Sequence, residues 1–343
     1  DMADVSHSTI LYAPIKMYDV KSQRYCDPRT GEIISASILI PVGYDPTYEL
    51  KMNTMAVNPQ IRNNHIPVEV YGDVIKSDVA REMGVCLGFT DNFMASSVYP
   101  VDSLRSATFT QKYGTTPSIM DYARFNYVAQ PEDKGVKLTP PELGVYDYYA
   151  IKWLYTPIFG AKDMWEEAAI AEKWIDEKAG DPFYRYGAQQ VSAIWDPSSL
   201  AEDLGDNPVK AGKYGVKNLK YILKNLDEWS GETGDVERRK ELYGELASQY
   251  VRYLSNAIYQ IGGFKVSRVK ENTPGKPVEV VSKKDQKEAL TWVMNELRNC
   301  EWLDDSELLN KFGVRINMSS KLAGLHQQLL GKTLEKVVLA SHM

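Results

Sequence analysis

At 343 residues the chain is long enough for one large core or two moderate ones. Apolar residues make up 43% and charged residues 25%, ordinary for a soluble globular protein. The net charge of −6 argues against a nucleic-acid partner, which needs a basic face. No apolar run nears the roughly 20 residues of a membrane span.

The three cysteines, Cys26, Cys86 and Cys300, show neither metal-knuckle nor redox spacing. The 22 tyrosines and 7 tryptophans suit broad binding clefts and extracytoplasmic proteins. Starting at Asp1 without an initiator Met or a signal peptide, the chain is expected to be a piece of a longer precursor.

Along the chain, residues 1–70 read as strands and loops. "STILYAPIKMYDV" alternates apolar and polar positions, and "GEIISASILIPV" is a second β-rich run after the turn "DPRTG". "NPQIRNNHIP" reads as loop. The spacing then predicts a helix over 73–88. Ile75, Val79, Met83 and Cys86 form its core face; Asp78, Arg81 and Val85 lie on another face, with Glu82 at the border. Gly88 stops it. Residues 89–141 read as mostly irregular. From about 142 the pattern is helical, in six amphipathic stretches with short polar joints, and 266–282 reads as an inserted hairpin. The expected organisation is a domain over 1–141 followed by a mainly helical region over 142–343.

The stretch "AREMGVCLGFTDNF" (80–93) raises the functional question. Glu82 and Gly88 fit the register of H-E-x-x-H-x-x-G-x-x-H. In that pattern two histidines four apart face one tetrahedral zinc, the Glu takes a proton from the metal-bound water, and the glycine turns the chain to bring in a third ligand. Here the three ligand positions are Arg81, Val85 and Asp91. About 30 residues on, "PSIMDYARFNY" supplies Met120 and, two residues later, Tyr122.

Together with "DPRTGEIISASI", "NFMASSVYPVDSLRSATFTQKYGTTPSIMDYARFNYVAQPED", "GVYDYYAIKWLYTPI" and "DPSSLAEDLGDNPVKAGKYGVKNLKYI", these motifs resemble the large bacterial zinc-dependent metallopeptidases of metzincin type. The likeness runs from about residue 25 to 260. It implies an α+β, zincin-like fold: a small twisted sheet over an active-site helix, then a helical region. It also implies a Met-turn at 117–122 with Met120 as the floor, and a cleft along an edge strand expected at "GEIISASI". By the same resemblance Glu82 is the remnant of the general base and Tyr122 the remnant of the oxyanion stabiliser. The setting it implies is bacterial and extracytoplasmic: periplasmic, cell-surface or secreted.

The departures decide the chemistry expected. Val85 has no donor atom, and Arg81 puts a permanent cation where the metal would sit. A second cation there would cost several kcal/mol. No zinc or other cofactor is therefore expected, although zinc serves the related active enzymes. An ion pair of Arg81 with Asp91 or Glu82 is expected to hold the corner instead. The function expected is that of an inactive homologue whose cleft binds a peptide or protein without hydrolysis. The alternatives are an active hydrolase with a nonstandard metal site built from Asp78, Glu82 or Asp91, and a purely structural subunit. Among the histidines, His65 is the one nearest in sequence to the helix.

Overall fold

The computed structural model describes residues 7–341 except 16, 18, 64, 124, 140–141, 189–194, 231–235 and 312–314, with the side chains of 315–322 also outside the description. The expected boundary at 141 therefore falls outside the described residues. The fold is α+β, with a small sheet near the N-terminus and helices through the rest.

Three strands make the main sheet: β1 (Thr9–Ala13), β2 (Lys21–Cys26) and β3 (Ile33–Pro41). β3 is central. It runs parallel to β1, with Thr9 opposite Ser37, and antiparallel to β2, with Ser22 opposite Ile38. This corrects one expectation: "GEIISASI" leads into the middle strand, and the edge strand beside the cleft is β2. The physical reason is composition. The long apolar run of β3 wants neighbours on both sides, whereas "KSQRYC" is polar and tolerates an open edge.

After the short helix α1 (Thr47–Thr54), the helix α2 (Val68–Cys86) packs beneath β2 and β3. It starts five residues before the predicted point, directly after Pro67, which has no amide hydrogen to leave unpaired. Its end is as expected. Leu87 caps it, and Gly88 follows with φ +97°, a backbone state that favours glycine. The predicted core face holds only in part. Ile75, Val79 and Cys86 join a small cluster with Val20, Ile38 and Tyr44 under the sheet. Met83 is instead 43% exposed, and Glu82 is buried.

The remaining elements are α3 (Ala107–Tyr113), α4 (Val145–Tyr155), α5 (Met164–Asp176), α6 (Pro208–Trp229), α7 (Val236–Ile258), the hairpin of β4 (Phe264–Val266) and β5 (Val278–Val280), α8 (Lys283–Arg298), α9 (Ser306–Lys311) and α10 (Arg315–Ser341). α6 begins with an Asn207 cap, whose side chain accepts from the Lys210 amide, and with Pro208 at its first position, a strong start signal. Its apolar stripe runs through Val209, Val216, Leu219, Leu223 and Leu226 into the main core. That core also takes Leu50 and Met55 from α1, Val74 from α2 and Leu246, Tyr250 and Tyr253 from α7. One apolar interior thus supports both the segment carrying α2 and the later helices. Tyr253 fixes the two together: its hydroxyl donates to Asn53 Oδ1 at 2.8 Å, and its ring stacks on Tyr127 at 4.4 Å.

Candidate functional site

The C-terminal half of α2 presents Asp78, Arg81 and Glu82 to a cavity of about 260 Å³, with Asp91, Tyr122, Ala201 and the start of β2 on the other walls. Helical spacing explains the first three: residues three and four apart share a face. Arg81 sits at the centre. One of its terminal nitrogens donates to Glu82 Oε1 at 3.0 Å and the other donates to Asp91 Oδ1. The guanidinium carbon lies 5.4 Å from the centre of the Tyr122 ring, within cation–π range.

The second oxygen of Glu82 is also taken. Ser22 Oγ, reaching down from β2, donates to Oε2 at 2.6 Å. Both oxygens of the buried carboxylate therefore serve as structural acceptors. Further along β2, an Arg24 guanidinium nitrogen donates to the Val85 carbonyl at 3.1 Å, so the edge strand grips the helix end twice. The carboxylate of Asp78 accepts the Tyr44 hydroxyl.

Met120 lies under this corner, fully buried. A Cβ placed on Gly84 would stand 2.5 Å from its sulfur, so a larger residue there would force the Met120 side chain to shift. The Asn92 amide donates to the Met120 carbonyl at 3.0 Å, which ties the chain just after Asp91 to the same turn. From below, the buried Asp147 of α4 holds the turn's shape. It accepts from Ser118 Oγ at 2.7 Å, from the Ile119 amide at 2.8 Å and from the Gly144 amide at 2.7 Å. Burial raises the Asp147 pKa, and these three donors act in the opposite direction.

Beside the turn, the Ser96 amide donates to Asp121 and Ser96 Oγ donates to Asp203 Oδ1 at 2.9 Å. Burial is the first cause raising both carboxyls, and the neighbouring Asp203 raises Asp121 further. Both effects favour the protonated form of the pair. Residues 202–206 lie against the same region through bonds from the Glu202 amide to the Tyr122 carbonyl and from the Gly205 amide to the Ser96 carbonyl.

Arg81, Glu82, Asp91 and Tyr122 thus come together, with Met120 beneath them. The Val85 side chain is half-buried and is not on the cavity wall. His65 is exposed and does not line the cavity. Cys86 is buried in the small cluster under the sheet, and burial raises its thiol pKa. Sequence reasoning missed Ser22, Arg24, Tyr44 and Asp147. Only Asp147 carried a readable signal, since it stands three residues after Gly144 at a capping-box position.

The Met-zincin family model matches residues 63–343. The chain belongs to the Met-zincin family. Searches of curated proteins and of solved structures gave no match. The match covers the helix, the Met-turn and the whole helical region, so the zincin-like fold and a metallopeptidase-like ancestry are those of a Met-zincin. No helix among the described residues is long and apolar enough to cross a membrane.

Zinc, the metal of related active enzymes, does not fit this Met-zincin's residues. A guanidinium fills the space between the two carboxylates nearest the ligand corner. Bringing a metal within 4 Å of it would cost about 4 kcal/mol per unit of metal charge at an effective dielectric of about 20. Val85 offers no donor atom. Among the described residues, no three His, Cys, Asp or Glu side chains are placed to hold one ion.

Proposed function

We propose that this Met-zincin has exchanged metal-dependent hydrolysis for binding: its cleft takes an extended peptide or protein segment and leaves it uncut. The observation that carries the reading is the Arg81 guanidinium bonded to Glu82 and Asp91. A general base must have an oxygen within reach of the water it deprotonates, and both Glu82 oxygens already accept hydrogen bonds. The scaffold for binding remains. Among the described strands β2 is an edge, so its outer backbone groups can pair with an added strand. The cavity beside it supports binding over a purely structural role.

Incubating the full chain with a library of extended peptides tests this. Selective retention should be seen, with no new peptide termini by mass spectrometry. Cleavage abolished by a chelator would overturn the reading. We further propose an extracytoplasmic location in a bacterium, consistent with the aromatic-rich composition. Fractionation of cells making the natural precursor should find the protein outside the cytoplasm, and recovery with the soluble cytoplasmic fraction would reject that location.

A further inference from the structure

A second cavity, of about 570 Å³, opens between α4, α5, residues 180–186 and the loop joining β4 to β5. It is larger than the remnant cleft, shares no lining residue with it, and falls in the size range of small-molecule sites. Its walls are of two kinds.

The first wall is aromatic. Tyr146, Tyr149, Trp153 and Tyr184 line it. Tyr149 and Tyr184 meet edge to face, with centres 5.0 Å apart and planes at 72°. Tyr146 and Tyr149 are 6.2 Å apart at 58°. No parallel pair of faces is offered by these rings, so they do not form the slot that sandwiches a flat base. Angled rings suit a puckered ring that presents C–H groups in several directions. The Trp153 indole N–H is spent on the Ala171 carbonyl at 3.1 Å, so this residue contributes ring surface only. Among the described residues the hydroxyls of Tyr146, Tyr149 and Tyr184 have no hydrogen-bond partner. Burial raises the Tyr146 and Tyr149 pKa values, so at neutral pH both remain neutral O–H groups able to donate and accept.

The second wall is charged. Lys270, on the hairpin loop, pairs with Glu172 at 2.6 Å and Asp176 at 3.1 Å, the two α5 acids on this wall. The Asp181 carboxylate accepts the Phe183 amide. Three more cations line this wall. Lys178 lies over the Tyr184 ring at 4.7 Å, and the Arg185 and Arg268 guanidiniums pair with no carboxylate among the described residues. Four cations against three carboxylates give this lining a small positive surplus in a chain of net charge −6.

We infer that this cavity binds an acidic saccharide, a pyranose unit bearing a carboxylate. The sugar's C–H faces lie against the tyrosine and tryptophan rings, its hydroxyls meet the free phenols, and the planar fork of Arg185 or Arg268 takes the carboxylate. An acidic peptide fits less well. None of the lining residues belongs to a strand, so there is no backbone edge for a peptide to pair with.

Calorimetric titration of the full chain with trigalacturonate, maltotriose and triglutamate tests the assignment. Trigalacturonate should bind saturably and at least about tenfold more tightly than maltotriose, the difference one charge-assisted contact makes. Tyr149→Ala should weaken it about tenfold, as loss of one stacking surface does. Arg268→Gln, on a surface loop where folding is not at stake, should erase most of the preference over maltotriose. Absence of saturable trigalacturonate binding, or binding unchanged by both substitutions, would overturn the inference. Equal or tighter binding of triglutamate would overturn it in favour of an acidic peptide.

Discussion

Two neighbouring regions of this Met-zincin are held by different forces. At 81–91 the positions that the resemblance assigns to zinc ligands hold a guanidinium, an isopropyl group and a carboxylate. The Met-turn at 117–122 keeps the packing of its floor, with the Met120 sulfur under Gly84 and Asp147 bonded to three donors. The difference separates a turn held by packing from a corner held by charge. The turn is held by burial and by backbone bonds that need no cation. At the corner the Arg81 guanidinium lies between the Glu82 and Asp91 carboxylates. That charge is permanent, because a guanidinium does not deprotonate in the working pH range.

If the turn is the stronger region, damage there should be the most severe. Met120→Ala should destabilise the protein by about 4 kcal/mol, the usual loss for a fully buried methionine with a cavity left behind, as read by chemical denaturation. Asp147→Ala leaves three donors without their acceptor and should cost about 3 kcal/mol. Arg81→Ala should cost less, about 2 kcal/mol. It strands the buried Glu82, but Asp91 is partly exposed and water screens that half of the pair. An Arg81 loss larger than the Met120 loss would reverse the ranking of the two regions.

The smallest effect concerns pH. Burial raises the folded pKa values of Asp121 and Asp203. The folded state therefore holds a proton that the unfolded chain releases above roughly pH 4. That contribution is complete below the unfolded pKa and is lost as pH rises through the raised folded value. Wild type should gain stability on acidification from pH 8 to 6. Asp203→Asn should reduce that gain by about 1 kcal/mol, and an unchanged pH profile would show that the pair does not hold the proton.

Much of this was readable from residues alone. α8 is one of the amphipathic stretches expected after residue 142, "KKDQKEALTWVMNELR", and the hairpin expected over 266–282 starts two residues earlier, at Phe264. The α2 start was harder, because "VEVYG" has a strand-like composition and local propensity is weak against tertiary packing. α1 was missed because it has no clean apolar face: Lys51, Asn53 and Thr54 are buried in it, with Lys51 Nζ donating to the Asn63 carbonyl at 2.6 Å. The strand order misled because an edge is a property of neighbours. The long apolar run of β3 pointed to a central strand, and the polar "KSQRYC" shows no periodicity to mark it as one. At the site, motif register located Arg81, Glu82 and Asp91. Ser22 and Arg24 could not be found that way, since they act across a sequence gap of about 60 residues that only the fold closes.

The proposal rests on Arg81 being the cation of this corner, in the place a metal ion would need. Zinc titration of the wild type beside the triple variant Arg81→His, Val85→His, Asp91→His tests it most directly. The account predicts no stoichiometric zinc on the wild type and one tightly held ion on the variant. One equivalent of zinc bound tightly by the wild type, in competition with a strong chelator, would contradict it.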